Sequence, residues 1–285
     1  MKYLKLALIT LVIGVSSFGC FKRDRYDNID INVTSYPIEY ITNYLYGDYS
    51  KVNMIYPSGV DVNSYELSPK QIKDYSNVDM FIYNGLSKEK NIAAELLNKN
   101  KNLDIIDVSK GLEIENDATE LWLSPTNFLM IASNIKNSLK EYVSNQKMID
   151  KIDSNYDSLK VKISEIDVEL KTIAENASNN TLIIGNNTFN FLKNYGFNVI
   201  SIVDNENSNT NKSQAKKLIQ NKTLSYVFIL PGDEENDNVK ELVSVGATVI
   251  NVPNLYTIND EQRKNKQDYL YFVKNMIENI KTEVY

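Results

Sequence analysis

Residues 149–173 read IDKIDSNYDSLKVKISEIDVELKTI, and their apolar positions decide how the chain is organised. Ile149, Ile152, Tyr156, Leu159, Ile163, Ile166, Leu170 and Ile173 recur at alternating steps of three and four. That spacing puts all of them on one face of a single helix. Lys151, Asp153, Asp157, Lys160, Lys162, Glu165, Asp167, Glu169 and Lys171 take the remaining faces. About 28 helical residues at about 1.5 Å each predict a rod of roughly 40 Å, long enough to run beside two lobes. A coiled-coil dimer seam is the alternative reading. About four heptads flanked by folded units fit an intramolecular spine better. A rigid connector of this kind predicts small lobe motions rather than wide hinge closure.

On either side of the rod, short apolar runs alternate with helical patterns. Before it, IDINVTSY, KVNMIYP, DMFIYNG and LDIIDVS read as buried strands, and YPIEYITNYLYG, SPKQIKDYSN and KEKNIAAELLNK as helices. After it, TLIIG, FNVISIV, LSYVFIL and ATVINV read as strands. The helices there are TFNFLKNYG, SQAKKLIQN, DNVKELVSV and the terminal QDYLYFVKNMIENIKTEV. Such alternation predicts βαβ units, so the expected fold is α/β: two lobes with mostly parallel sheets joined by one long rigid helix. The expected boundaries are 29–145 for the N-terminal lobe, 146–178 for the linking helix and 179–285 for the C-terminal lobe. Ligands of open α/β sheets bind at the carboxyl ends of the strands. A cleft is therefore expected among loops 57–66, 120–125, 185–188 and 252–254.

The chain has 285 residues, 42% hydrophobic and 24% charged, with a net charge of -6. That balance suits a globular protein with a real core and excludes the basic footprint of a nucleic-acid binder. Residues 1–19 differ from the rest: Lys2 and Lys5 precede an apolar run from Leu6 to Val15, followed by Ser16, Ser17 and Gly19. This is the order of a secretory signal peptide, and the run is too short to span a bilayer comfortably. The small residue before Cys20, the single cysteine, resembles the lipobox of bacterial lipoproteins, although Ser17 stands where leucine is usual. Cys20 is then the lipidated mature N-terminus, with residues 20–28 as a tether. A conventional signal peptide with a leftover thiol is the alternative. Removing residues 1–19 deletes two lysines and no acid, taking the net charge to -8. The expected location is the extracytoplasmic face of the cell membrane, held by the lipid anchor.

The loops carry a family resemblance. YPSGVDVNSYELSPKQIKDYSNVDMFIYNGLSKEK is similar to a segment of the zinc/manganese-binding family of ABC-importer solute-binding lipoproteins, a family that includes adhesion lipoproteins. There a Pro-Gly-Val turn, a His-Asp-Tyr-Glu-like motif and a Ser-Pro-initiated helix lead to a strand ending in Tyr-Asn-Gly. ELWLSPTNFLMIASNI resembles the family's His-Val-Trp-Leu-Asp-Pro segment and its helix. GNNTFNFLKNYGFNVISI resembles the strand and helix around its third ligand, and DYLYFVKNMIENI its last helix. The long central helix matches as well. The resemblance implies a monomeric receptor that delivers a zinc or manganese ion to an ABC permease and its ATPase.

The same alignment places the family's first histidine ligand at Asn63 and its second at Glu120. Its third ligand, a histidine or glutamate, falls on Gly185, with Asn186 adjacent, and its acidic fourth near Pro253 or Asn254. The chain contains no histidine, and the family's histidine-rich loop is absent. Zinc and the later first-row ions prefer imidazole nitrogen or thiolate sulfur, so a high-affinity zinc site is not expected. Oxygen donors suit calcium, magnesium or manganese, and calcium takes six to eight of them. The solute is then a harder cation or something else. A surface adhesion or accessory lipoprotein that keeps the fold without binding metal is the alternative function.

Each of these residues has a plainer role available. Asn63 and Asn186 are solute contacts or turn residues at strand ends. Glu120 beside Trp122 is a ligand or a carboxylate favoured at a helix start. Trp122 reads as core. Ser68 and Pro69 open a helix after Tyr65 and Glu66. Asp233, Glu234, Glu235 and Asp237 attract a cation or, more simply, form a solvated loop before a helix, and residues 205–213 read as a surface loop. With no histidine and no nucleophile elbow or phosphate loop, the chain is not expected to be an enzyme.

Overall fold

The computed structural model describes residues 27–114, 118–204 and 208–285. The expected signal peptide (residues 1–19) and Cys20 lie outside the described residues.

The N-terminal lobe holds β1 (Ile29–Val33), α1 (Tyr36–Tyr46), β2 (Ser50–Met54), α2 (Pro69–Tyr75), β3 (Met80–Tyr83), α3 (Glu89–Lys99) and β4 (Asp104–Asp107). Two more helices complete it: the short α4 (Glu120–Leu123) and α5 (Pro125–Tyr142). After the long α6 (Gln146–Asn176) come β5 (Thr181–Ile184), β6 (Asn198–Ser201), α7 (Ser208–Gln220) and β7 (Tyr226–Ile229). The chain ends with α8 (Asp237–Ser244), β8 (Thr248–Asn251), α9 (Asp260–Lys264) and α10 (Tyr269–Val284). The two sheets share one plan, in orders β2-β1-β3-β4 and β6-β5-β7-β8. All strand pairs are parallel. Both faces of a parallel sheet are covered, and the inner strand β3 is accordingly the wholly buried run MFIY. The edge strands depart from the expectation of buried strands: β2 is only partly buried and β4 mostly exposed.

Local chemistry sets the helix starts, at Ser68 and Pro69 as the sequence predicts. The Ser68 hydroxyl accepts from the Gln71 amide while the Gln71 side chain returns to the Ser68 amide, with Pro69 in the first turn. The Asn145 side chain caps α6 through the Met148 amide.

Along α6 the predicted face is the buried one. Ile152, Leu159, Ile163, Ile166, Leu170 and Ile173 are buried, and Ile149 and Tyr156 are partly so. The helix packs on α1 and α5 of the first lobe and on α10 of the second. Its charged faces make local bonds: Lys140 to Asp153 at 2.5 Å, Lys281 to Glu169 at 2.5 Å, and the Tyr195 hydroxyl to Asp167 at 2.6 Å.

The rod is not the sole junction. One apolar cluster runs from β1 through α6 to α10 and is shared by the lobes, and each lobe has a second cluster of its own. Phe128 stacks on Tyr269 with ring centroids 4.0 Å apart, and the buried Tyr269 hydroxyl donates to the Trp122 carbonyl at 2.6 Å. Arg263 donates two bonds to Glu39, at 2.7 and 2.8 Å.

One expectation is refined and one corrected. TFNFLKNYG is helical as expected, in the tighter 3-10 form (Asn187–Tyr195). Phe189, Leu192 and Tyr195 repeat every three residues, which suits the tighter turn, and three asparagines in the segment have low α propensity. Residues 208–213 are not loop: α7 begins at Ser208. The Asn211 side-chain amide ties its first turn to the Ser201 carbonyl at the end of β6, and the Ser213 hydroxyl donates back to the Asn209 carbonyl one turn earlier.

Candidate functional site: an oxygen-lined cleft between the lobes

At the carboxyl ends of both sheets lies a cavity of about 480 Å³. The first lobe contributes Gly59, Val60, Asp61, Val62, Asn63 and Thr119. The second contributes Asn186, Leu230, Pro231, Asp233 and the segment from Pro253 to Thr257. Four predicted residues thus meet here: Asn63, Asn186, Pro253 and Asn254.

Asn63 sits in a loop held from two sides. Its amide donates to the Asp61 carboxylate at 2.9 Å, and its carbonyl accepts from the Lys88 ammonium at 2.6 Å. Lys88 also reaches the Tyr65 carbonyl at 3.2 Å. The Asn63 amide, with Ser64 next, holds the exposed Asp61 carboxyl below the usual carboxylate range.

Across the cavity, the Asn186 side chain donates to Asp233 Oδ2 at 2.9 Å and accepts from the Thr188 amide at 3.0 Å. The same Asp233 oxygen accepts from the Leu230 amide at 2.9 Å. Asn254 turns its carbonyl to the indole nitrogen of Trp122 at 2.8 Å, and its side chain accepts from the Tyr256 amide. Trp122 is 1% exposed and packs edge-on against Tyr256, so it is a core residue joining the lobes, as predicted.

Gly185 and Glu120 are not in the lining. A side chain at Gly185 would meet Ile229 Cγ2 at 2.8 Å and Val239 Cγ2 at 3.1 Å, so no donor can project from that position. The next residue, Asn186, is the one that faces the cleft. Glu120 opens α4 and is half-buried, while Thr119 before it is the lining residue.

Two carboxylates missing from the predicted set, Asp61 and Asp233, line the cavity. Asp233 belongs to the run expected to be a solvated loop, and that expectation is corrected for this residue. Glu234 and Glu235 keep to the surface, taking the Gly232 amide and Lys240. The missed signal was positional. Asp233 follows the carboxyl end of β7, where the strand-end rule that selected the other loops applies equally. Asp61 lies two residues from Asn63 in a loop already selected.

The donor set is thus oxygen with some amide nitrogen: two carboxylates, one from each lobe, with amides, hydroxyls and carbonyls. Among the described residues no three His, Cys, Asp or Glu side chains come together as a metal-holding group. Several acceptors are already engaged by Lys88, Trp122, Leu230 and Asn186. Such a lining can hydrogen-bond a polar solute or offer weak oxygen ligands to a hard cation.

The model of the ZnuA family, described as zinc-uptake complex component A, periplasmic, matches residues 31–283. The chain is 22% identical to the high-affinity zinc uptake system protein ZnuA of Bacillus subtilis, over 96% of this chain and 93% of the relative. It is 29% identical to a metal ABC transporter substrate-binding lipoprotein of Lactococcus lactis, a match spanning 60% of this chain and 58% of the relative. In fold it is similar to the Zn(II)-bound ZnuA-like domain of Streptococcus pneumoniae AdcA. That likeness has a TM-score of 0.71 at 19% identity and covers 90% of this chain and 99% of that one. The twin parallel sheets, the long helix between them and the extent of the family match lead to one conclusion: the chain belongs to the ZnuA family of metal ABC transporter solute-binding proteins, which are not enzymes.

Proposed function

We propose that the protein is the lipid-anchored, extracytoplasmic solute-binding component of an ABC importer of the metal type, with its metal site rebuilt from oxygen donors. In this reading Asn63, Asn186 and Asn254 contact the solute, Asp61 and Asp233 bias the cleft toward cations, and a permease and ATPase receive the cargo. The observation that carries it is the interlobe cavity, lined by Asn63, which matches the family's first histidine by resemblance, and by Asn186 and Asn254, which lie beside the matched third and acidic fourth ligand positions. Two carboxylates and neutral oxygens hold zinc weakly and suit harder ions better. Cys20 carries the anchor and the protein works as a monomer.

Isothermal titration of the purified, tag-free protein with zinc, manganese and calcium tests the metal assignment. Zinc binding weaker than micromolar is expected, and micromolar or tighter zinc binding contradicts it. The same ligand exchange favours the second reading, an accessory or adhesion lipoprotein that has left transport. A neighbouring permease and ATPase gene pair supports transport, whereas their absence supports the accessory role.

A further inference from the structure

Behind the cleft wall, polar groups gather where the first sheet ends. β1 pairs with β3 so that Asn32 meets Phe81 and Val33 meets Ile82, which brings Thr34 and Ser35 level with Tyr83 and Asn84. Against β2, Val33 meets Met54, and the Ile55 amide extends the pairing toward Tyr56. Asn32, Thr34, Ser35, Tyr56 and Asn84 are all buried, none more than 3% exposed. Asn32 Nδ2, Thr34 Oγ1, Ser35 Oγ, Tyr56 Oη and Asn84 Nδ2 are sealed from solvent with no hydrogen-bond partner among the described residues. Buried polar groups are normally paired, so several orphans in one place mark a site rather than a core.

The carboxyl of Glu89, 3% exposed, stands among them. It accepts from the Asn84 amide at 2.9 Å and lies against the Thr34 hydroxyl. The charged groups facing it are Lys88 from its own helix start and Asp107 from β4. From α2 the neighbourhood receives Ile72 and the Tyr75 ring, whose hydroxyl donates to the Ile55 carbonyl. The Lys88 ammonium is turned instead to the Asn63 and Tyr65 carbonyls, so adjacent residues bind the buried cluster and the cleft wall.

We propose that Glu89 and the hydroxyl and amide groups around it form a proton-binding site that governs the 61–65 wall of the solute cleft through Lys88. Burial, the largest influence, raises the Glu89 pKa to about 7, against smaller lowering by Thr34, the Asn84 amide and Lys88. The sign of the coupling follows from linkage. The closed arrangement holds the proton more tightly than any arrangement in which water reaches the carboxyl. Acid therefore holds the wall closed, and that hold is lost as pH rises through about 7.

Two measurements on the full mature chain test this. Carbon-13 carboxyl NMR follows the Glu89 resonance, assigned by its loss in Glu89→Gln. Amide hydrogen exchange compares wild type with Glu89→Gln at equal pH, which cancels the intrinsic pH dependence of exchange. The resonance is expected to titrate with a midpoint of about 7. Amides of residues 61–65 are expected to exchange several-fold faster in wild type than in the variant at about pH 8, and equally at about pH 4. In Lys88→Met, Glu89 still titrates near neutrality, and adding Glu89→Gln to that variant no longer changes exchange at 61–65. Titration in the ordinary carboxylate range overturns the proposal. So does exchange at 61–65 that Glu89→Gln leaves unchanged at both pH values, or a Glu89→Gln effect that persists in Lys88→Met. Should Glu89→Gln not fold, the wild-type titration, with its resonance assigned by backbone connectivity, and a wild-type against Lys88→Met comparison of exchange across pH decide the matter.

Discussion

At the scale of single residues, the cleft is governed by what each position can physically project. Gly185 has the family's ligand register by counting, yet its missing Cβ is filled by Ile229 and Val239. Gly185→Ala should therefore lower stability by about 1–3 kcal/mol, measured by urea unfolding, because overpacking forces those neighbours aside. An unchanged midpoint would show that the strand has room for a side chain there. Glu89 gives the complementary prediction. Its pKa, raised by burial from 4.5 to about 7, favours the folded state below pH 4.5, and that contribution is lost as pH rises through about 7. At about pH 8, Glu89→Gln should be more stable than wild type by roughly 2–3 kcal/mol, with the difference vanishing near pH 4. Thermal melts across that range check it. The family resemblance pointed to Asn63, Asn186 and Asn254, and all three fall in strand-end loops that were legible in the sequence. It could not choose between Gly185 and Asn186, since that depends on the packing of β5 against β7 and α8. Asp233 was legible by the same rule and was hidden only by its acidic neighbours.

At the scale of elements, the three-and-four spacing of α6 located its buried face because one stripe packs on both lobes and the rest meets solvent or ion partners. Ile163, 1% exposed on that stripe, should cost about 2–5 kcal/mol when changed to Ala. Val161, 59% exposed two residues earlier, should cost less than about 1 kcal/mol in the same urea titration. Equal costs at the two positions would contradict the one-sided packing. Elsewhere composition was the weaker guide. Polar residues 208–213 read as loop, yet they open α7, whose first turn is tied to the end of β6 by the Asn211 side chain. Residues 187–195 read as helix, and their three-residue repeat suits the 3-10 form they take. Neither outcome follows from periodicity alone, because both turn on where individual hydrogen bonds find partners.

At the scale of the whole molecule, the lobes are braced by α6, by α10 and by the segment from Pro253 to Arg263. Arg263 grips Glu39, whose side chain is 11% exposed, with two bonds across the junction. Arg263→Met should lower stability by about 1–2 kcal/mol, read from the same unfolding curves, since it leaves a mostly buried carboxylate without its partner. No loss would mean that the bridge is dispensable to the lobe junction. Bracing on several sides is expected to limit the lobes to small motions relative to one another, so what the cleft binds should depend on its atoms more than on a wide hinge closure. Those atoms are oxygens and amide nitrogens in a chain without histidine. The most direct measurement is a zinc-edge anomalous difference map from crystals of the mature chain grown with zinc. The account predicts no ordered zinc between the lobes. A strong peak held jointly by residues at positions 63, 120 and 186 would contradict it.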